Sequence, residues 1–239
     1  MSRTDRSTEN QPNPAEMFFR WSSDDKAFGR YDKEKEGLVF IEQGTPFIVL
    51  DMLNTCTGYD EKLEAGLYSN EVRNVKTQVL RLFAGKKLIA SGIWEDIKGH
   101  SGVKFAKSVY ALAKVDDEYR LVNFKMSGAA VSAWFDFVKE VGGERKLYGD
   151  VVVAQVDYVE GKKGKVTYFS PVFKIVSTKL SDEAARKAIE ADETLQEYLR
   201  NYFERDAKRD DPEPADETVR EERDEQGGRG DIDDDEIPF

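Results

Sequence analysis

The stretch VKFAKSVYALAKVDDEYRLVNFKMSGAAVSAWFDFVKEVGG, residues Val103 to Gly143, decides the fold class. Val103–Lys114 and Tyr119–Met126 are rich in β-branched and aromatic residues, and the acidic stretch Val115–Glu118 between them suits an exposed turn, so a β-hairpin is expected. After Ser127 the period changes. Ala130, Val131, Trp134, Phe135, Val138 and Val141 recur at helical spacing, and Gly142 with Gly143 supplies a stop, which places one helix at about 128–141.

Upstream, LVFIE (Leu38–Glu42) and FIVLDMLNTCT (Phe47–Thr57) read as strands separated by Gln43–Pro46. Val72–Phe83 and Leu88–Ile97 read as a second hairpin about Ala84–Lys87. Downstream, Tyr148–Val159 and Lys165–Ser177 flank the turn Glu160–Gly164. Ser181 then caps a C-terminal helical region at about 181–203, with a break expected near Asp192. The chain is therefore mainly β with helices. A helix inserted before the last two strands is the layout of the OB-fold, a five-stranded antiparallel Greek-key barrel, here with extra hairpin strands; other barrels and sandwiches share the pattern.

Charge divides the chain more sharply than hydropathy does. Residues 206–239 hold 15 acidic and 5 basic side chains, a net of −10 that accounts for nearly all of the overall −11. Residues 70–180 hold 19 Lys or Arg against 12 Asp or Glu, a net of +7. A cationic body tethered to an anionic tail implies a polyanion-binding surface and a segment able to compete for it. The organisation expected is a disordered polar arm over 1–16, one domain over 17–205 and a disordered acidic tail over 206–239.

Cys56 is the single cysteine and His100 the single histidine, so neither a disulfide framework nor a Cys/His zinc site can form within one chain. FAGKK and GKKGK lack the spacing of a phosphate-binding loop, and nothing pairs a nucleophile with a base. Asp51, Glu95, Asp96 and Asp157 are the best carboxylates for a metal-dependent nuclease, yet isolated acids on strands ordinarily face solvent. A non-enzymatic protein without cofactors is expected. No apolar run resembles a signal peptide or a membrane span, so a cytoplasmic location is expected, in a bacterial cytosol or an infected host cell.

The last nine residues read DIDDDEIPF, five carboxylates followed by Ile237, Pro238 and Phe239. Phe239 joins an aromatic ring to the α-carboxylate, which suits a partner pocket with an apolar floor and a basic rim. The segment resembles the C-terminal tip of bacterial single-stranded-DNA-binding proteins, Asp-Phe-Asp-Asp-Asp-Ile-Pro-Phe. Asp233, Asp234, Asp235, Ile237, Pro238 and Phe239 match; Glu236 is inserted and Ile232 stands where Phe is usual. FFRWSSDDKAFGRYDKE (Phe18–Glu34) and GIWEDIKGHSGVKFAKSVYALA (Gly92–Ala113) are similar to phage OB-fold proteins of the same class. The resemblance implies that residues 231–239 dock on replication, recombination or repair proteins of the polymerase, helicase, primase or nuclease class. It also implies that the acidic tail competes with DNA for the barrel.

Binding of single strands without sequence preference needs cations that follow phosphates and rings on which bases stack. Trp94, Lys98, Lys104, Phe105, Lys107 and Tyr110 interleave both kinds over a short stretch. Alternation puts Lys104, Ala106, Ser108, Tyr110 and Leu112 on the wetter face of their strand, which favours Lys104 and Tyr110 as contacts and leaves Phe105 to the core. Trp94 is divided between contact and core, because Ile93 and Ile97 beside it are apolar. Arg81, Lys125, Tyr158 and Lys165 are further candidates on other strands, and Lys86, Lys87, Lys162 and Lys163 at hairpin tips. The function expected is single-stranded-DNA coating with tail-mediated recruitment, with homo-oligomers possible; the alternative is an acidic adaptor or DNA mimic that binds partner proteins and no DNA.

Overall fold

The computed structural model describes residues 12–148 and 151–210. Eleven strands are present among them: β1 (Met17–Ser22), β2 (Ala27–Asp32), β3 (Gly37–Phe40), β4 (Pro46–Asp60), β5 (Ala65–Ser69), β6 (Leu80–Ala84), β7 (Lys87–Gly92), β8 (Val103–Val115), β9 (Glu118–Ser127), β10 (Val152–Lys163) and β11 (Val166–Ser177). The helices are α1 (Trp94–Ile97), α2 (Ala129–Glu140) and α3 (Asp182–Asp210). Contacts divide the chain into a body, Pro12–Leu195, and a second unit whose described residues run from Gln196 to Asp210. None of the described helices is long and apolar enough to cross a membrane.

The body is built on one mixed sheet in the order β3-β2-β1-β9-β8-β4-β5-β6-β7, with β10 paired to β4 and β11 to β10. All neighbours are antiparallel except β1 and β9, which run parallel through Met17↔Val122 to Arg20↔Lys125. The sheet is open: among the described residues no ladder joins β11 to β1 or closes the other edge. Side chains bridge the first gap instead. The Trp21 indole donates to the Phe169 carbonyl (2.8 Å), the Phe169 N–H donates to Ser23 Oγ (2.8 Å), and the Lys26 ammonium sits over the Phe169 and Tyr158 rings at 4.4 and 4.8 Å.

The expected hairpin and helix at 103–143 form, because the two periods in that stretch each bury one face. Val109, Ala111 and Ala113 of β8 and Val122, Phe124 and Met126 of β9 enter a core that α2 caps with Ala130, Trp134, Phe137 and Val138. Gly142 and Gly143 end the helix at φ +90° and +112°, values that a side chain would resist. A second core, with Cys56, Leu67, Leu80, Leu82 and Ile97, lies within the insertion between β4 and β8. On the opposite side of the sheet, Ile48 and Leu112 pack under Ala184 and Ala188 of α3. Ser181 caps that helix, its Oγ accepting from Ala184 N–H.

Several boundaries differ from expectation for identifiable reasons. Order begins at least as early as Pro12 rather than at Met17, since Asn13 and Ala15 are tied into the body. Two strands, β1 and β2, occupy a region with no clear alternation. Most of Val72–Phe83 is loop, because the Gln78 and Asn74 side chains accept from the Arg73, Asn74 and Lys76 N–H groups and so compete with a ladder. Residues Trp94–Ile97 coil into α1 with the Asp96 carboxylate accepting from Ile93 N–H. Helix α3 passes Asp192 unbroken and continues beyond residue 203 into the segment expected to be tail. The rest of the acidic tail, and the arm before Pro12, lie outside the described residues.

Candidate nucleic-acid interface

Residues directly opposite in a ladder share a face of the sheet, so register alone shows which side chains stand together. On the side of β8 away from α2, Ser108 pairs with Lys125, Lys125 with Arg20, Arg20 with Gly29, and Gly29 with Phe40. A second row on the same side runs from Lys104 through Thr57 and Tyr68 to Phe83, and Arg81 follows two residues before Phe83 on β6. One face thus carries Arg81, Lys104, Lys125 and Arg20 from β6 to β1, with rings among them. Tyr68 stacks on Phe83 at 5.4 Å between centroids, and Phe18, Tyr31 and Phe40 are 39%, 61% and 38% exposed.

Arg81, Lys104 and Lys125 were legible as candidates in the sequence, and the sheet brings them onto one face. Arg20, Phe18, Tyr31 and Phe40 were missed. Arg20, Phe18 and Tyr31 lie in a segment that had not been assigned strands, and Phe40, on an expected strand, carried no charge or neighbouring cation to mark it.

The middle of the face is covered, and one expectation fails there while a second fails on the core side. Tyr110 is fully buried, its hydroxyl donating to Glu71 (2.7 Å) and accepting from Asn13 Nδ2 (2.9 Å), so no base can stack on it. The loop bearing Glu71 is pinned by a bidentate pair between Arg73 and the buried Asp51, at 3.0 and 2.9 Å. Lys107 is also buried. It lies on the core side, where its ammonium holds Glu144 (2.7 Å) and Asn54 (3.2 Å) and ties the turn after α2 to the sheet.

Trp94 belongs to α1 rather than a strand, half-buried against the insertion core with its ring edge-on to Phe105 at 5.6 Å. Tyr158 is engaged under Lys26 and against Phe169. Lys86 and Lys87 are exposed about the β6–β7 turn, and Lys162, Lys163 and Lys165 about the β10–β11 turn, all off the two rows; Lys162 faces Glu160 at 3.7 Å. Asp233, Asp234, Asp235, Glu236, Ile237, Pro238 and Phe239 lie outside the described residues.

The electrostatics single out β1 and β9. Burial pulls the Lys125 pKa below the ordinary lysine value; Glu71 counters this and Arg20 adds to it. Burial likewise lowers that of Arg20. Among the described residues the Lys125 ammonium makes no hydrogen bond or ion pair. Two cations thus stand side by side on this face, with the Glu71 carboxylate within electrostatic reach of Lys125. Cys56 offers no chemistry here, since burial pushes its thiol up to about 11 against the effect of Ser69. Native protein is therefore expected to resist alkylation at Cys56 by a thiol reagent at neutral pH and to react once unfolded, which a mass-shift assay would read. Among the described residues no three His, Cys, Asp or Glu side chains gather as a metal site.

Compared with protein-family models, with curated proteins and with solved structures, the chain matches none.

Proposed function

We propose that this chain is a single-stranded-DNA-binding protein of OB type that coats strands without sequence preference in replication, recombination or repair. The observation that carries this is the pair of rows that place Arg81, Lys104, Lys125 and Arg20, with rings among them, on one face of the sheet. Cations at strand spacing follow a phosphate chain, and ring faces accept any base, so affinity does not require base-edge readers. The connectivity supports the OB reading: β4, β8 and β9 form a meander, α2 follows, and β10 returns to β4 with β11 beside it. In this arrangement β1 takes the parallel place beside β9, and the insertion and β1–β3 widen the binding face. The acidic tip recruits partner proteins and competes with DNA for the same cations.

A salt titration of an oligothymidylate tests this. Each phosphate contact on a single strand contributes about 0.7 to the slope of log affinity against log salt, so four cations predict a slope of about −3. Deleting residues 231–239 is expected to raise affinity at low salt, because a tethered anionic competitor is removed. Absence of binding at low salt would instead favour the adaptor or DNA-mimic reading.

A further inference from the structure

We propose that β1–β3 form a base-stacking platform in which the Phe40 ring, laid across Gly29, holds a base beside the phosphate-binding pair Arg20 and Lys125. This rests on the single-stranded-DNA reading and locates within it a subsite contributed by the N-terminal strands.

Register puts the parts in line, for Lys125, Arg20, Gly29 and Phe40 occupy successive strands of one row on one face, each about 4.8 Å from the next. A Cβ built on Gly29 would stand 2.7 Å from Phe40 Cε1 and 2.8 Å from Cδ1, so the ring lies over the β2 backbone in the space a side chain would take. Lying there, it reaches from β3 over β2, whose Gly29 pairs with Arg20 of β1. It is still 38% exposed, and next to it Tyr31 and Leu38, paired with each other, are each 61% exposed. A ring held against backbone and still open to solvent is preorganised for stacking, since little side-chain freedom is lost when a base arrives.

Covering a glycine with a cross-strand ring also stabilises sheets without any ligand. The β10–β11 hairpin provides that comparison within the same molecule. There Tyr168 lies over Gly161, with a Cβ-to-ring distance of 2.5 Å, but the ring is half-buried and the neighbouring Lys162 faces Glu160. At Phe40 the ring is open and its row continues into two cations whose charged forms burial disfavours. The Phe40 arrangement has the charge complementarity of a nucleotide.

Full-length Phe40→Leu and Phe40→Trp, compared with wild type in anisotropy titrations of a fluorescein-labelled oligothymidylate and in thermal melts, test the platform. Leucine covers Gly29 but cannot stack, so Phe40→Leu is expected to weaken binding about tenfold with little change in melting temperature. Phe40→Trp should bind as tightly as wild type or more so. Gly29→Ala, which displaces the ring without removing it, should resemble Phe40→Leu in binding. If Phe40→Leu and Gly29→Ala bind like wild type, the platform is refuted while the single-stranded-DNA reading stands. If wild type itself does not bind the oligonucleotide, both fall.

Discussion

Replacing Arg20 and Lys125 together with methionine is expected to weaken oligothymidylate binding roughly 25-fold at 0.1 M salt and to flatten the salt slope by about 1.4. Both figures follow from losing two phosphate contacts at about 0.7 each. Methionine keeps an unbranched apolar stem, so most of the packing that half-buries these side chains is retained. Stability should not fall with affinity. The folded pKa of Lys125 lies below its unfolded value, so the charged ammonium opposes folding below the folded pKa. Wild type regains that loss as pH rises from the lowered value toward the ordinary 10.5, and the double variant should lack this part of the rise. Thermal melts across alkaline pH beside anisotropy across salt would check both halves. An unchanged salt slope would remove this pair from the interface.

Trp134→Ala is expected to cost about 3–5 kcal/mol of folding stability, a large part of the roughly 5–15 kcal/mol that holds a typical domain together. The indole is fully buried between Phe47, Phe137 and Phe173, with centroids 6.4, 5.5 and 5.0 Å away, so truncation opens a cavity where α2 meets β4 and β11. Its Nε1 is buried with no hydrogen-bond partner among the described residues. Trp134→Phe should therefore stay within about 1 kcal/mol of wild type, because the smaller ring also removes an unsatisfied donor. Chemical denaturation would separate the two. Equal losses for Ala and Phe would mean that the indole nitrogen has a partner after all.

Local chemistry was the legible part of this chain. The hairpin at β8–β9, the helix stop at Gly142 and Gly143 and the cap at Ser181 are each written in a few adjacent residues, and each forms as expected. What the sequence hid depends on distant partners. Alternation in β8 separates two faces correctly, yet which is wet is decided by Asn13 and Glu71, 97 and 39 residues from Tyr110. Lys107 looked like a phosphate ligand until Glu144, 37 residues away, took its charge. In MFFRWS apolar residues stand at four of six positions, so no period marks β1, and its pairing with β9 cannot be read locally. Phe18 and Arg20 were invisible for the same reason, while Arg81, Lys104 and Lys125 were found because cations on recognisable strands carry their own signal.

The parallel pairing of Met17–Arg20 with Val122–Lys125 also orders events during synthesis. A ribosome adding about 5–20 residues per second releases the first strand some 5 to 20 seconds before its mate is polymerised. Through that interval β2 can pair with one edge of β1, while the other edge waits without its partner. Arg20 and Lys125 therefore come side by side only after β9 has emerged, and a holdase that shelters residues 17–22 would act before the sheet is complete.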